Sequence, residues 1–163
     1  MLFRSGLIIS IKKTEAMYQP APGNIYVPPV IKIDGKPLNA VEKFKYLGSI
    51  VSNDASLDAE ITARIAKATS AFGRLIKRLW TNRGVCLNTK ISVYKATVLT
   101  SLLFGCETWT LNKRQSRRLE KFHQSTLRKI ARIKWFHKVT NYEVLYRCKI
   151  HSLESMIDKA KLR

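Results

Sequence analysis

The sequence predicts an α+β fold: a short N-terminal strand and hairpin segment followed by a mostly α-helical bundle. Three observations predict it. Turn residues and short apolar runs fill residues 1–55. Apolar residues at helical spacing, each run preceded by a capping residue, fill 56–163. Charge divides near the same point, with seven basic and six acidic side chains in 1–60 against 23 and five in 61–163. Two regions are therefore expected, 1–55 and 56–163.

The first region reads as strands and turns. Leu7-Ile8-Ile9-Ser10-Ile11 has the composition of a buried strand rather than of a targeting segment, because it is short and no small-residue cleavage site comes after it. Pro20-Ala21-Pro22-Gly23-Asn24 is a loop. Val30-Ile31-Lys32-Ile33 runs into Asp34-Gly35, a pair that tolerates the positive φ of a tight hairpin. Residues 41–51 form a further strand candidate, with Phe44 and Tyr46 on one face and Lys43 and Lys45 on the other.

Five helices are expected next. Ser56 precedes Asp58 and Glu60, which oppose the dipole of a helix whose apolar face is Leu57, Ile61, Ile65, Ala68, Phe72, Leu75 and Leu79. Asn88 is the expected cap of a second helix ending near Gly105, and Asn112 of a third running to about Ile133. Thr140-Asn141-Tyr142-Glu143 has the form of a capping box, and Ser152 is the expected start of a fifth helix.

The composition narrows the partner. Of 163 residues, 45% are apolar, so the chain can bury a core, yet its net charge is +19. Such an excess repels itself unless a polyanion neutralises it. Nucleic acid is the expected polyanion, with an anionic membrane surface second. No apolar run reaches membrane-spanning length. Three cysteines, Cys86, Cys106 and Cys148, suit free thiols in a reducing compartment, so an intracellular location, nucleus or cytoplasm, is expected.

The third helix carries the clearest signal. Leu119, Phe122, Ile130 and Ile133 fall on one side, and Arg114, Arg117, Lys121, Arg128 and Arg132 on the other, flanked by Arg118 and Lys129. Like charges four apart destabilise a helix by about 0.2–0.5 kcal/mol per pair, and Arg114–Arg118, Arg117–Lys121 and Arg128–Arg132 are such pairs. A merely solvated face interleaves both signs, whereas this one offers only Glu120. Phosphate contact is therefore expected. Arg64, Lys67, Arg74 and Arg78 lie beside the apolar face of the first helix, where they can touch a nucleic-acid backbone, cover the core edge with their stems, or do both.

Catalytic signals are missing. No Cys-x-x-Cys pair occurs, and Cys148 with His151 falls short of a structural zinc site, so no metal site is expected. No nucleophile motif or Gly-rich phosphate loop is present. The acidic residues are scattered, with Asp54, Asp58 and Glu60 grouped at a helix start.

Four motifs in order carry a family resemblance. Gly6-Leu7-Ile8-Ile9-Ser10 with Lys13-Thr14-Glu15, Phe44-Lys45-Tyr46-Leu47-Gly48-Ser49, Leu102 to Leu111 (LLFGCETWTL), and Arg118-Leu119-Glu120-Lys121-Phe122 with Leu127-Arg128 resemble the reverse transcriptases of endonuclease-bearing non-LTR retrotransposons. The resemblance implies the end of the palm and a primer-grip hairpin in 1–55 and a thumb in 56–163. It implies that Phe44, Tyr46, Leu47 and Gly48 grip the primer terminus and that Lys13 is a candidate general acid in an intact polymerase. It implies template–primer, RNA–DNA hybrid or duplex DNA, as the partner. The family's Asp-Asp motif is absent from this sequence, so no complete catalytic set is expected in the chain. No cofactor is expected in it either, magnesium belonging only to an intact polymerase. The beginning and end of the chain add the expectation of a fragment, or of the product of a decayed element. The alternative is an independent basic helical DNA- or RNA-binding protein with helix-turn-helix-like packing.

Overall fold

The computed structural model describes residues 10–21 and 23–162. The fold is α+β, with short strands first and helices after them. The chain divides into two compact units, Met1–Glu60 and Ile61–Arg163.

Among the described residues the first unit holds three two-stranded ladders. β1 (Glu15–Ala16) pairs in parallel with β4 (Asn39–Ala40). β2 (Lys32–Ile33) and β3 (Lys36–Pro37) form the hairpin expected at Asp34-Gly35, whose φ values of 50° and 75° are those of a tight mirror-image turn. The strand candidate over 41–51 is instead two strands, β5 (Lys43–Tyr46) and β6 (Ser49–Ser52), paired antiparallel with Lys43 opposite Ser52. They turn at Leu47 and Gly48, both at positive φ. Leu47 accepts that strain because a two-residue connection demands it. The strand expected over 7–11 lies outside the described residues except at Ser10 and Ile11, and Ile11 opens a 3₁₀ turn to Lys13. No apolar side chain described in this unit is fully buried, so its ladders have little hydrophobic support.

α1 (Asp58–Arg74) begins where expected: Ser56 Oγ accepts from Asp58 N at 3.2 Å, and Glu60 Oε2 accepts from Ile50 N at 2.6 Å. Beyond α1 the helix widens into a π turn, Ile76–Trp80. α2 (Leu87–Val93) starts at Cys86 rather than Asn88. It runs through a π-wound stretch, Tyr94–Leu99, into α3 (Thr100–Leu102), and Gly105 at φ 76° redirects the chain. α4 (Lys113–Ile130) opens with a full capping box, Asn112 and Gln115 bonding each other's main-chain N–H. In α5 (Asn141–Cys148) only the Thr140 half of the expected box forms, because the Glu143 carboxylate turns to Arg147. Ser152 caps α6 (Leu153–Lys161), and Glu120 Oε2 accepts from Leu153 N at 3.0 Å.

The core of the helical unit is built on α4. α4 packs on α2, α5 and α6, and its Leu119, Leu127 and Ile130 are buried, as are Tyr94, Val144, Leu153 and Ile157. One polar group sits at its centre. His123 is 0% exposed, with Nδ1 2.8 Å from the Tyr94 hydroxyl and Nε2 3.2 Å from the His151 carbonyl oxygen. A carbonyl can only accept, so Nε2 carries the proton and Nδ1 accepts from Tyr94. The ring is neutral, and burial, opposed by Glu120 and the His151 carbonyl, pushes its pKa below the ordinary 6.5. The unfolded chain then binds the proton more readily than the folded one. Stability from this group is fully present above about pH 6.5 and is lost as pH falls toward the depressed folded value. Denaturant titrations of the chain should show unfolding free energy falling from pH 7 to pH 5. His123→Gln, which cannot titrate, should flatten that dependence at lower absolute stability.

Candidate nucleic-acid interface

The surface that matters begins with the way the first long helix stops. At Ile76–Trp80 the wider turn brings Trp80 back over Phe72. The rings stack at 5.1 Å, and the indole N–H donates to the Phe72 carbonyl at 2.8 Å. The last carbonyls of a helix have no partner within it and carry its negative dipole end. Two cations satisfy them here. Lys90 Nζ donates to the carbonyls of Trp80 (3.2 Å) and Asn82 (2.6 Å), and Arg132 donates to that of Thr81 (2.7 Å). Burial, followed by the positive charge of Arg132, pulls the Lys90 pKa below 10.5.

α4 ends in a Schellman closure: Arg132 N bonds the Lys129 carbonyl and Ile133 N the Arg128 carbonyl at 2.9 Å. The residue at the left-handed position is Arg132, φ 56°, where glycine is favoured. Its bond to Thr81 offsets that strain. Arg132 therefore leaves the helix, which ends at Ile130 rather than about Ile133. Arg128 donates to the Val139 carbonyl (2.9 Å) and to Asn141 Oδ1 (2.8 Å), pinning the loop after α4.

These two ends enclose an open groove of about 560 Å³. Its apolar floor includes Phe72, Ile76, Trp80 and Ile133, and its rim is Arg83, Arg128, Lys129, Arg132 and Lys134. Among the described residues no carboxylate lines it. Five cations around one groove make an anion-attracting surface, and two of them already hold main-chain carbonyls while keeping further N–H groups.

The other expected contacts are spread more widely. Arg114, Arg117 and Lys121 are exposed and share with Arg128 an α4 stripe about 60° wide at 100° per residue, opposite buried Leu119, His123 and Ile130. Lys129 is exposed beside that stripe. Arg118 donates to Thr62 Oγ1 at 2.9 Å. Arg64 is buried with its guanidinium 4.6 Å over the Phe104 ring, while Lys67, Arg74 and Arg78 are exposed. In the strand unit Phe44 and Tyr46 stack at 6.4 Å on one face of the hairpin, Leu47 and Gly48 form its turn, and Lys13 is exposed at the end of its 3₁₀ turn. No sequence signal announces that Arg83 and Lys134 join the groove, since both lie outside any regular helical pattern.

Among the described residues no group of three His, Cys, Asp or Glu is placed to hold a metal ion. No described helix is long and apolar enough to cross a membrane. Cys106 and Cys148 are buried, which raises their pKa, and Cys86 is exposed with its thiol lowered by Thr89. No protein-family model, curated protein or solved structure matches the chain.

The bonding separates structural from surface arginines. Arg128→Gln and Arg132→Gln should each lower unfolding free energy by about 1 kcal/mol, the low end for a charged donor at a partly open site. Arg132→Gly should cost less than Arg132→Gln, because glycine relieves the positive φ. Arg114→Gln, Arg117→Gln and Lys121→Gln should stay within about 0.5 kcal/mol of the parent in urea titrations. A combined replacement that includes Arg128 therefore mixes folding with binding.

Proposed function

We propose that the helical unit binds the sugar–phosphate backbone of a template–primer duplex, as the thumb of a non-LTR retrotransposon reverse transcriptase. The observation that carries this reading is the groove whose rim holds five cations and no carboxylate among the described residues. The order of the four sequence motifs supports the family assignment. The β5–β6 hairpin, closed at Leu47-Gly48 with Phe44 and Tyr46 side by side, supports the primer-grip part of the reading. A free-standing helical reader of DNA or RNA has no need of that hairpin. In this proposal Lys13 and the hairpin residues serve the primer end, the α4 stripe and groove serve the backbone, and the missing Asp-Asp motif leaves the chain without nucleotide transfer of its own.

Backbone contacts release counterions, so log K should fall with log salt at about −0.9 per phosphate neutralised on duplex DNA. Arg83→Gln, Lys129→Gln and Lys134→Gln remove rim charges without breaking the carbonyl bonds of Arg128 and Arg132. Each should reduce that slope by about one unit and weaken binding equally for unrelated duplex sequences. Fluorescence anisotropy across a salt series is the measurement. An unchanged slope in the triple variant would remove the groove as the contact.

A further inference from the structure

The chain has three tryptophans, and two are core residues: Trp80 and Trp109 are each 3% exposed. Trp135 is 89% exposed, and Phe136 beside it is 55% exposed. Two adjacent exposed rings of this size offer a flat apolar contact face.

Their display is built into the fold. The Schellman closure at Arg132–Ile133 sets the direction in which the chain leaves α4. Next comes a 3₁₀ turn, Trp135–His137, in which Lys134 N donates to His137 Nδ1 at 3.1 Å. Trp135 meets Phe136 edge to face at 5.8 Å, and Phe136 meets His137 likewise at 4.6 Å. Arg128 then fastens Val139 and Asn141. The rings thus stand on a turn held at both ends, at low entropic cost to a ligand.

The surrounding charge selects the ligand. Between 128 and 138 the sequence holds Arg128, Lys129, Arg132, Lys134 and Lys138 and no acidic residue, and four of these five line the phosphate-attracting groove. An aromatic face beside a cationic groove matches the two parts of a nucleotide, a flat base and a phosphate.

We propose that Trp135 is a base-stacking residue: it receives an unstacked base where a single-stranded overhang meets the duplex, while the groove holds the adjoining backbone. This rests on the nucleic-acid reading above and adds to it a preference for junctions over uninterrupted duplex.

The test uses the full chain with two DNA probes of equal phosphate number, a blunt hairpin and a duplex with a 5′ overhang, and with vesicles of phosphatidylserine and phosphatidylcholine. The overhang probe should quench the emission of the solvent-exposed indole, and Trp135→Ala should abolish that change. Trp135→Ala should also weaken overhang binding about tenfold, within the range found for stacked bases, and leave the blunt hairpin within about twofold. Trp135→Phe should restore most of the overhang affinity. The exposed position predicts unchanged circular dichroism and Tm for both variants, so lost affinity cannot be lost fold. Equal overhang binding by Trp135→Ala and parent, with the salt slope intact, would overturn the stacking role and leave the groove standing. Absence of binding to either probe would overturn the nucleic-acid reading as well. A blue shift with vesicles and none with the overhang probe would assign the rings to a lipid surface instead.

Discussion

Three successive main-chain carbonyls, at Trp80, Thr81 and Asn82, need partners where the first long helix of the second unit runs out, and two cations supply them. Lys90 reaches them from α2 and Arg132 from the end of α4, so three separate segments converge on one helix terminus. Both donors favour the negative end of that helix. Burial first, and then the positive charge of Arg132, lowers the pKa of Lys90. The positive φ of Arg132 at the closure of α4 places its side chain in this meeting, and Arg128 fixes the loop beyond. The groove is the space that remains between the tied ends, and its rim is cationic partly because the tie itself is cationic.

The same arrangement explains why positive charge concentrates where function is proposed. Arg128 and Arg132 are framework and rim at once, donating to main-chain carbonyls while lining the groove. Arg83, Lys129 and Lys134 add charge around them. At the centre of the helical core a neutral His123 joins Tyr94 to the His151 carbonyl.

Much of the architecture is legible in the sequence. Asn112, Thr140 and Ser152 are helix starts because their side chains answer the first free N–H groups, a local requirement that local sequence expresses. The Asp34-Gly35 turn is legible for the same reason. Long-range partners are not. Nothing near Arg132 or Arg128 announces that one reaches Thr81 and the other Val139, so both read as parts of a uniform surface stripe. Helical periodicity assumes 3.6 residues per turn, and it cannot foresee the π turns at 76–80 and 94–99, which rotate Trp80 and shift the phase of the residues after them. The run over 41–51 reads as one strand because Leu47 carries none of the usual signs of a turn except the glycine after it. Trp135 gives no local signal of its role, since exposure is a property of the finished fold.

The central claim is that the groove between residues 72–83 and 128–134 receives phosphate, and residue-resolved lysine acetylation with and without excess duplex tests it most directly. Phosphate in the groove predicts that duplex protects Lys129 and Lys134 from the reagent while Lys95 and Lys159, which line no part of the groove, react as before. Protection confined to Lys95 and Lys159, or equal protection of all four, would contradict it.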